Sequence, residues 1–88
     1  MMKLYVINIK EYDYDCYTDF VVAADTIPEA LEYIYQKVCE KSDTQGNKYY
    51  GDIPYYLRSS NMVIACLGDF EPYDKLDNHV ISYGYYNA

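Results

Sequence analysis

Asp19-Phe20-Val21-Val22-Ala23-Ala24-Asp25-Thr26-Ile27-Pro28-Glu29-Ala30-Leu31-Glu32-Tyr33-Ile34-Tyr35 carries a strand into a helix, and the rest of the chain is read around it. Asp19 to Ala24 is short, apolar and β-branched at its centre, the composition of a half-buried strand. Thr26-Ile27-Pro28-Glu29 then has the spacing of a capping box: a threonine to accept the orphan amides of a first turn, a glutamate three residues on, and proline where a missing N–H does no harm. The helix is expected to run to about Glu40. Ile27, Ala30, Leu31, Ile34, Tyr35 and Val38 recur on one stripe, with Glu29, Glu32, Gln36, Lys37 and Glu40 opposite. Tyr33 falls about 200° from Leu31 at roughly 100° per residue, so it is expected on the polar face.

Upstream, Lys3 to Lys10 reads as a first strand with Tyr5, Ile7 and Ile9 on one face and Leu4 and Val6 on the other. Both faces are partly apolar, so the sheet is expected to be covered twice or to pair with a second subunit as a homodimer. Downstream, Ser42 to Asn61 holds the turn formers Asp43, Gly46, Asn47, Gly51 and Pro54 with the pairs Tyr49-Tyr50 and Tyr55-Tyr56. Twenty residues without structure are unusual in so small a domain, so a short helical turn from Ile53 to Arg58, capped by Asp52, is expected; the alternative is a binding loop. Met62 to Leu67 is a continuous apolar run suited to a central strand. His79 to Tyr86 supplies the last strand, with Gly84 weakening or bulging its end. The order is strand, strand, helix, strand, strand: one α+β domain, a four-stranded antiparallel or mixed sheet packed by one main helix.

The chain has 88 residues, and its hydrophobic content of 51% includes 14 tyrosines. Without them roughly a third of the chain is left for an unambiguous interior, so some tyrosines must build the core. Net charge is −7, and no lysine or arginine occurs between Glu11 and Glu32. Such a field repels phosphates and anionic lipid, which argues against direct nucleic-acid or membrane binding and for a host protein with a basic surface as partner. Cysteines 16, 39 and 66 are odd in number and widely spaced, unlike a disulfide framework or a metal knuckle. Reduced thiols and an N-terminus without a signal-peptide pattern point to the cytoplasm.

Tyrosine buries a large area for little rotamer entropy and keeps a hydroxyl for specificity, the chemistry of recognition. Tyr12, Tyr14, Tyr17, Tyr33, Tyr49, Tyr50, Tyr55 and Tyr56 lie outside the clearest core stripes, and Asp13, Asp15 and Asp19 are interleaved with the first three. These eleven residues form the candidate partner-binding set. Tyr5, Tyr35 and some of Tyr83, Tyr85 and Tyr86 are assigned to structure.

Reaction chemistry is thinly represented. Asp13, Asp15 and Asp19 alternate like calcium ligands, but Tyr17 and Thr18 stand where a further oxygen ligand and the turn glycine belong, and no glutamate occupies the twelfth place. Cys16 or Cys66 with His79 could supply a nucleophile and a base, though nothing in their spacing brings them together. Gly46, Gly51, Gly68 and Gly84 form no phosphate loop. No cofactor motif is present, and a non-catalytic protein is expected.

Tyr14-Asp15-x-Tyr17-x-x-Phe20-Val21-Val22-Ala23-Ala24, Glu29-Ala30 and a Val80-Ile81 strand ending Tyr86-Asn87-Ala88 together resemble small accessory proteins of bacteriophages and mobile elements. The similarity covers mainly the two ends. The chain departs from it at Tyr85, where a small polar residue is expected, and in lacking a final glycine. The resemblance implies an acidic inhibitor that blocks a host defence protein, like anti-CRISPR proteins, with carboxylates standing in for nucleic-acid phosphates. The alternative is an oligomeric sponge that sequesters a nucleotide signal by stacking its base on tyrosine.

Overall fold

In the computed structural model, which describes residues 1–87, period-two alternation places Tyr5, Ile7 and Ile9 of strand β1 (Lys3–Ile9) in the core. Phe20, Val22 and Ala24 of β2 (Cys16–Ala24) do the same. The two strands pair antiparallel, with Ile7 opposite Phe20 and Tyr5 opposite Val22. Strand β2 begins three residues before the expected Asp19, so Tyr17 and Asp19 are strand residues.

Helix α1 (Ile27–Cys39) starts at the capping box: the Thr26 hydroxyl accepts the Glu29 N–H at 3.3 Å, with proline in the first turn. Ala30 and Ile34 are fully buried against the sheet, while Ile27, read as part of the stripe, is exposed in the first turn. The helix ends at Glu40, whose extended backbone opens a strand. Phe20, Ile7, Ile34 and Leu57 are each sealed from solvent, and burial of such side chains contributes roughly 1.5–3 kcal/mol apiece.

Residues 42 to 61 hold more structure than a binding loop. Strands β3 (Glu40–Ser42) and β4 (Lys48–Tyr50) form a second, two-stranded sheet. Its turn is built by Asp43, which accepts the Gln45 and Asn47 amides at 2.9 Å each, and by Gly46, whose φ of +83° places it in the left-handed region. Asp-x-x-Gly is the signature of a type I turn closed by a glycine bulge. Two single 3-10 turns follow, Tyr55–Leu57 and Ser59–Asn61. The first is preceded by Pro54 and carries no side-chain cap, so Asp52 does not have the expected role; proline's fixed φ starts the turn instead. Leu57 drops from this segment into the core, and its carbonyl accepts the Tyr35 hydroxyl at 3.2 Å.

Strand β5 (Met62–Asp69) pairs antiparallel with β1, and β6 (Val80–Tyr86) with β2, giving the order β5-β1-β2-β6. The run Met62–Leu67 therefore lies on an edge rather than at the centre. Met62 and Ile64 face the helix side opposite Ile9 and Ile7, whereas Val63 and Leu67 face away and are exposed. Apolar residues on both faces imitate the signature of a central strand.

The register shifts at three places: between Leu4 and Tyr5 against β5, between Tyr17 and Asp19, and between Val21 and Val22 against β6. Each shift inserts one residue, which puts two consecutive side chains on the same face. Here the pairs are Leu67-Gly68, Thr18-Asp19 and Ile81-Ser82, and all fall on the face turned away from α1. Gly84 sits opposite Asp19, where a Cβ would run into the Asp19 carboxylate and the Thr18 hydroxyl. The expected irregularity of β6 thus lies at Ile81-Ser82, and Gly84 makes room for the bulge of its neighbour.

Candidate recognition surface

Connection 10–15 between β1 and β2 carries the acidic tyrosine segment, and it is anchored at both ends. Lys10 donates its backbone N–H to the Asn61 carbonyl at 2.8 Å. The Asn61 side chain, buried to 3% exposure, accepts the Glu11 N–H at 3.0 Å and donates to the carbonyls of Glu11 at 2.8 Å and Tyr56 at 2.7 Å. At the far end Asp15 donates to the Tyr86 carbonyl at 2.8 Å, its φ of 58° in the left-handed region that aspartate tolerates better than most residues. An anchored loop presents its side chains with less ordering loss than a free one.

The anchoring brings tyrosines from both ends of the sequence together. Tyr86 stacks on Tyr14 at 5.4 Å between ring centroids and is tilted against Tyr12 at 5.9 Å. Tyr12, Tyr14 and Tyr86 are 46%, 61% and 45% exposed. Tyr86 pairs with Cys16, which alternates with a core-side Tyr17, so this trio sits at the end of the helix-free face. On the helix side, Tyr17 meets Tyr85 edge-on at 5.0 Å and Tyr83 at 5.4 Å and stacks on Phe20 at 5.5 Å; the Lys37 ammonium lies 4.4 Å from the Tyr83 ring centre. Offset and edge-to-face contacts at these distances hold rings in fixed orientations.

Asp13 and Asp15 stand beside the exposed trio, and among the described residues neither they nor Glu11 make an ion pair. Asp19 is set apart from them. Its carboxylate accepts the Thr18 hydroxyl at 2.8 Å and lies over Gly84.

The remaining candidates divide by burial. Tyr17 is half-buried and packs on the core, and burial, reinforced by Tyr83 and Tyr85, pushes its phenol pKa up. Tyr56 is also half-buried: burial raises its pKa, partly offset by the Tyr17 backbone N–H that its hydroxyl oxygen accepts at 3.0 Å. Both therefore support the surface as well as lining it. Tyr33 is not the free side chain its helical position predicts. Its ring lies parallel to His79 at 4.0 Å and 3°, and its hydroxyl donates to Glu29 at 3.1 Å. Burial first, and Glu29 second, raise its pKa. His79 in turn donates from Nδ1 to the Ala23 carbonyl at 2.9 Å, so the residue before β6 is a packed one rather than a bare surface group. Tyr49, Tyr50 and Tyr55 are exposed as expected but form no ring contact with the cluster; Arg58 covers Tyr55 at 4.2 Å.

Reading the sequence missed Tyr83, Tyr85 and Tyr86 as members of the surface. Some of them are expected to be structural, and Tyr83 and Tyr85 do pack on Tyr17 on the helix side, while Tyr86 joins the trio; all three are also partly open to solvent on an edge strand. The pairing of the acidic segment with the chain's last strand was the absent signal.

Two open clefts flank α1. One of about 370 Å³ is lined by Tyr33, Gln36, Lys37, Glu40, Tyr50, Asp77, Asn78, His79 and Val80. A second of about 340 Å³ is lined by Glu32, Tyr35, Gln36, Cys39, Tyr50, Gly51 and Ile53. Cys66 lies on edge strand β5 and His79 precedes the opposite edge strand, so that pair is not assembled. Among the described residues no three of His, Cys, Asp and Glu gather as a metal site, and no helix is long and apolar enough to cross a membrane. No protein-family model, curated protein or solved structure matches the chain.

Proposed function

We propose that this chain is a non-catalytic binding protein that uses its acidic tyrosine end to occupy a basic surface of another protein, as a phage-type inhibitor of a host defence protein would. The observation that carries the reading is the trio Tyr12, Tyr14 and Tyr86, in which Tyr86 packs against each of the other two and all are about half exposed, beside carboxylates of Asp13 and Asp15 without a cationic partner among the described residues. Packed rings lose little entropy on binding, and unpaired carboxylates steer a basic partner into contact. Asp13 and Asp15 supply the phosphate-like charge; Tyr14 and Tyr86 supply area and register.

The test is capture of a partner from bacterial lysate by the wild-type chain and by Tyr14→Ala with Tyr86→Ala, with Tyr73→Ala, a fully exposed tyrosine elsewhere, as control. Loss of the captured protein with the double variant alone, and an association rate that falls as salt rises, support the reading. Capture indifferent to both removes it.

The cleft beside Tyr33 and His79 favours a second reading, a nucleotide sponge. Its volume of about 370 Å³ falls in the usual range of small-molecule sites, roughly 300–1,000 Å³. Lys37 offers one cation, but Glu40 and Asp77 line the same walls and oppose a phosphate. Calorimetric titration with cyclic and linear nucleotides decides it: heat that disappears in Tyr33→Ala supports the sponge, and no heat with any of them excludes it.

A further inference from the structure

Helix α1 and the 3-10 turns cover one face of the main sheet; on the other, Ala23 is fully buried and Leu4, Val6 and Val21 are half-buried, while Val63, Leu67 and Ile81 are exposed, with Leu67 63% and Val63 51% accessible. An antiparallel sheet with one solvated face normally alternates apolar inward and polar outward, and this one does not. We infer that the helix-free face is a self-association surface, on which a second copy of the chain packs sheet against sheet across a two-fold axis.

Charge argues for a second copy as occupant. The chain carries −7 overall, so copies repel except where they meet without carboxylates. Among the strand residues of this face Asp19 alone is charged, and it is folded over Gly84 against the Thr18 hydroxyl. Lys3 and Asp69, the charged ends of β1 and β5, alternate to the other face and pair with each other at 3.2 Å. Apart from Asp19 these strands offer a charged partner nothing to complement, whereas an apolar face complements itself.

Area points the same way. Strands of seven to nine residues spaced ~4.8 Å apart and rising ~3.3 Å per residue make a face of roughly 500 Å². With the whole footprint in contact, two copies together remove up to about 1,000 Å² from water, the lower bound for a specific interface. The three register shifts add to it, since each sends an extra side chain to this side, Leu67 and Ile81 among them.

The inference does not rest on the proposed partner, although the Tyr12–Tyr14–Tyr86 trio lies at the end of the same face. Sedimentation equilibrium of the whole chain from about 5 to about 200 µM is expected to show a mass approaching twice the 10.3 kDa of one chain. The dimer should persist or strengthen when salt rises from about 50 to about 500 mM, because apolar association is not screened. Val63→Asp combined with Leu67→Asp should raise the dissociation constant at least about tenfold, while Ile53→Asp, exposed on the helix side, leaves it unchanged. Circular dichroism confirms the fold, and if the double variant unfolds, Ile81→Asp on the opposite edge strand is read in its place. A monomer across the whole range, a dimer that salt dissolves, or a dimer that survives the face substitutions overturns the inference.

Discussion

The hydroxyl oxygen of Tyr56 accepts the backbone N–H of Tyr17 across 3.0 Å, tying the turn after the small hairpin to the register shift in β2. Thr18 is the residue inserted at that shift, and the phenol holds the amide immediately before it. Tyr56→Phe keeps the ring and removes the acceptor. It is expected to lower stability by about 1–2 kcal/mol in urea unfolding and to speed hydrogen exchange at the Tyr17 amide. Unchanged exchange at Tyr17 would mean that the bond contributes nothing.

Asn61 answers a larger demand. Its amide fills one acceptor and two donor roles for the Glu11 N–H and the carbonyls of Glu11 and Tyr56. Asn61→Leu leaves those backbone groups without partners in a buried place, so a loss of about 2–4 kcal/mol is expected from thermal or urea melts. Asn61→Asp should be no better, because a carboxylate cannot donate to the two carbonyls.

The β3–β4 hairpin should respond to acid. Asp43 accepts amide hydrogens, that of Asn47 foremost and then that of Gln45, and these hold its carboxyl pKa below the ordinary 3.8. A pKa lowered by folding contributes stability that is present above the ordinary value and is lost as pH falls through the lowered one. The Gln45 and Asn47 amide resonances should therefore shift together below about pH 4, and Asp43→Ala should abolish that step while loosening the turn at every pH.

Thiol reactivity should rank the three cysteines. Cys66 is exposed on edge strand β5, Cys16 is half-buried, and Cys39 is buried, with burial pushing its pKa up. Thiolate is the reactive form, so a chromogenic disulfide reagent should label Cys66 first and Cys39 only after denaturant is added. Early modification of Cys39, identified by mass spectrometry, would contradict its packing.

Local signals carried much of this fold. Thr26, Pro28 and Glu29 announce the helix because capping is settled within four residues, and Tyr5, Ile7 and Ile9 announce β1 because alternation needs only one strand. The errors lie where the outcome depends on a distant neighbour. Met62–Leu67 has the composition of a central strand, and only the sheet order makes it an edge. Tyr33 sits on the polar side of α1, yet His79, far along the chain, supplies a ring for it to lie on. The candidate site divides the same way: Tyr12, Tyr14, Asp13 and Asp15 stand out by local density, whereas Tyr86 joins them through strand pairing. The Asp43–Gly46 turn has its signature residues, but flanking strands of three residues are too short for alternation to announce the hairpin.

The Tyr12–Tyr14–Tyr86 cluster has an order of birth. Strand β6 is synthesised after every other strand of the sheet, so a ribosome-bound chain that has already made the acidic segment still lacks the ring and the carbonyl that hold it in place. Until β6 docks, β2 is an open edge and Tyr14 has nothing to stack on. A nascent or truncated chain therefore lacks the assembled Tyr12–Tyr14–Tyr86 cluster, which exists only in the copy that has finished folding.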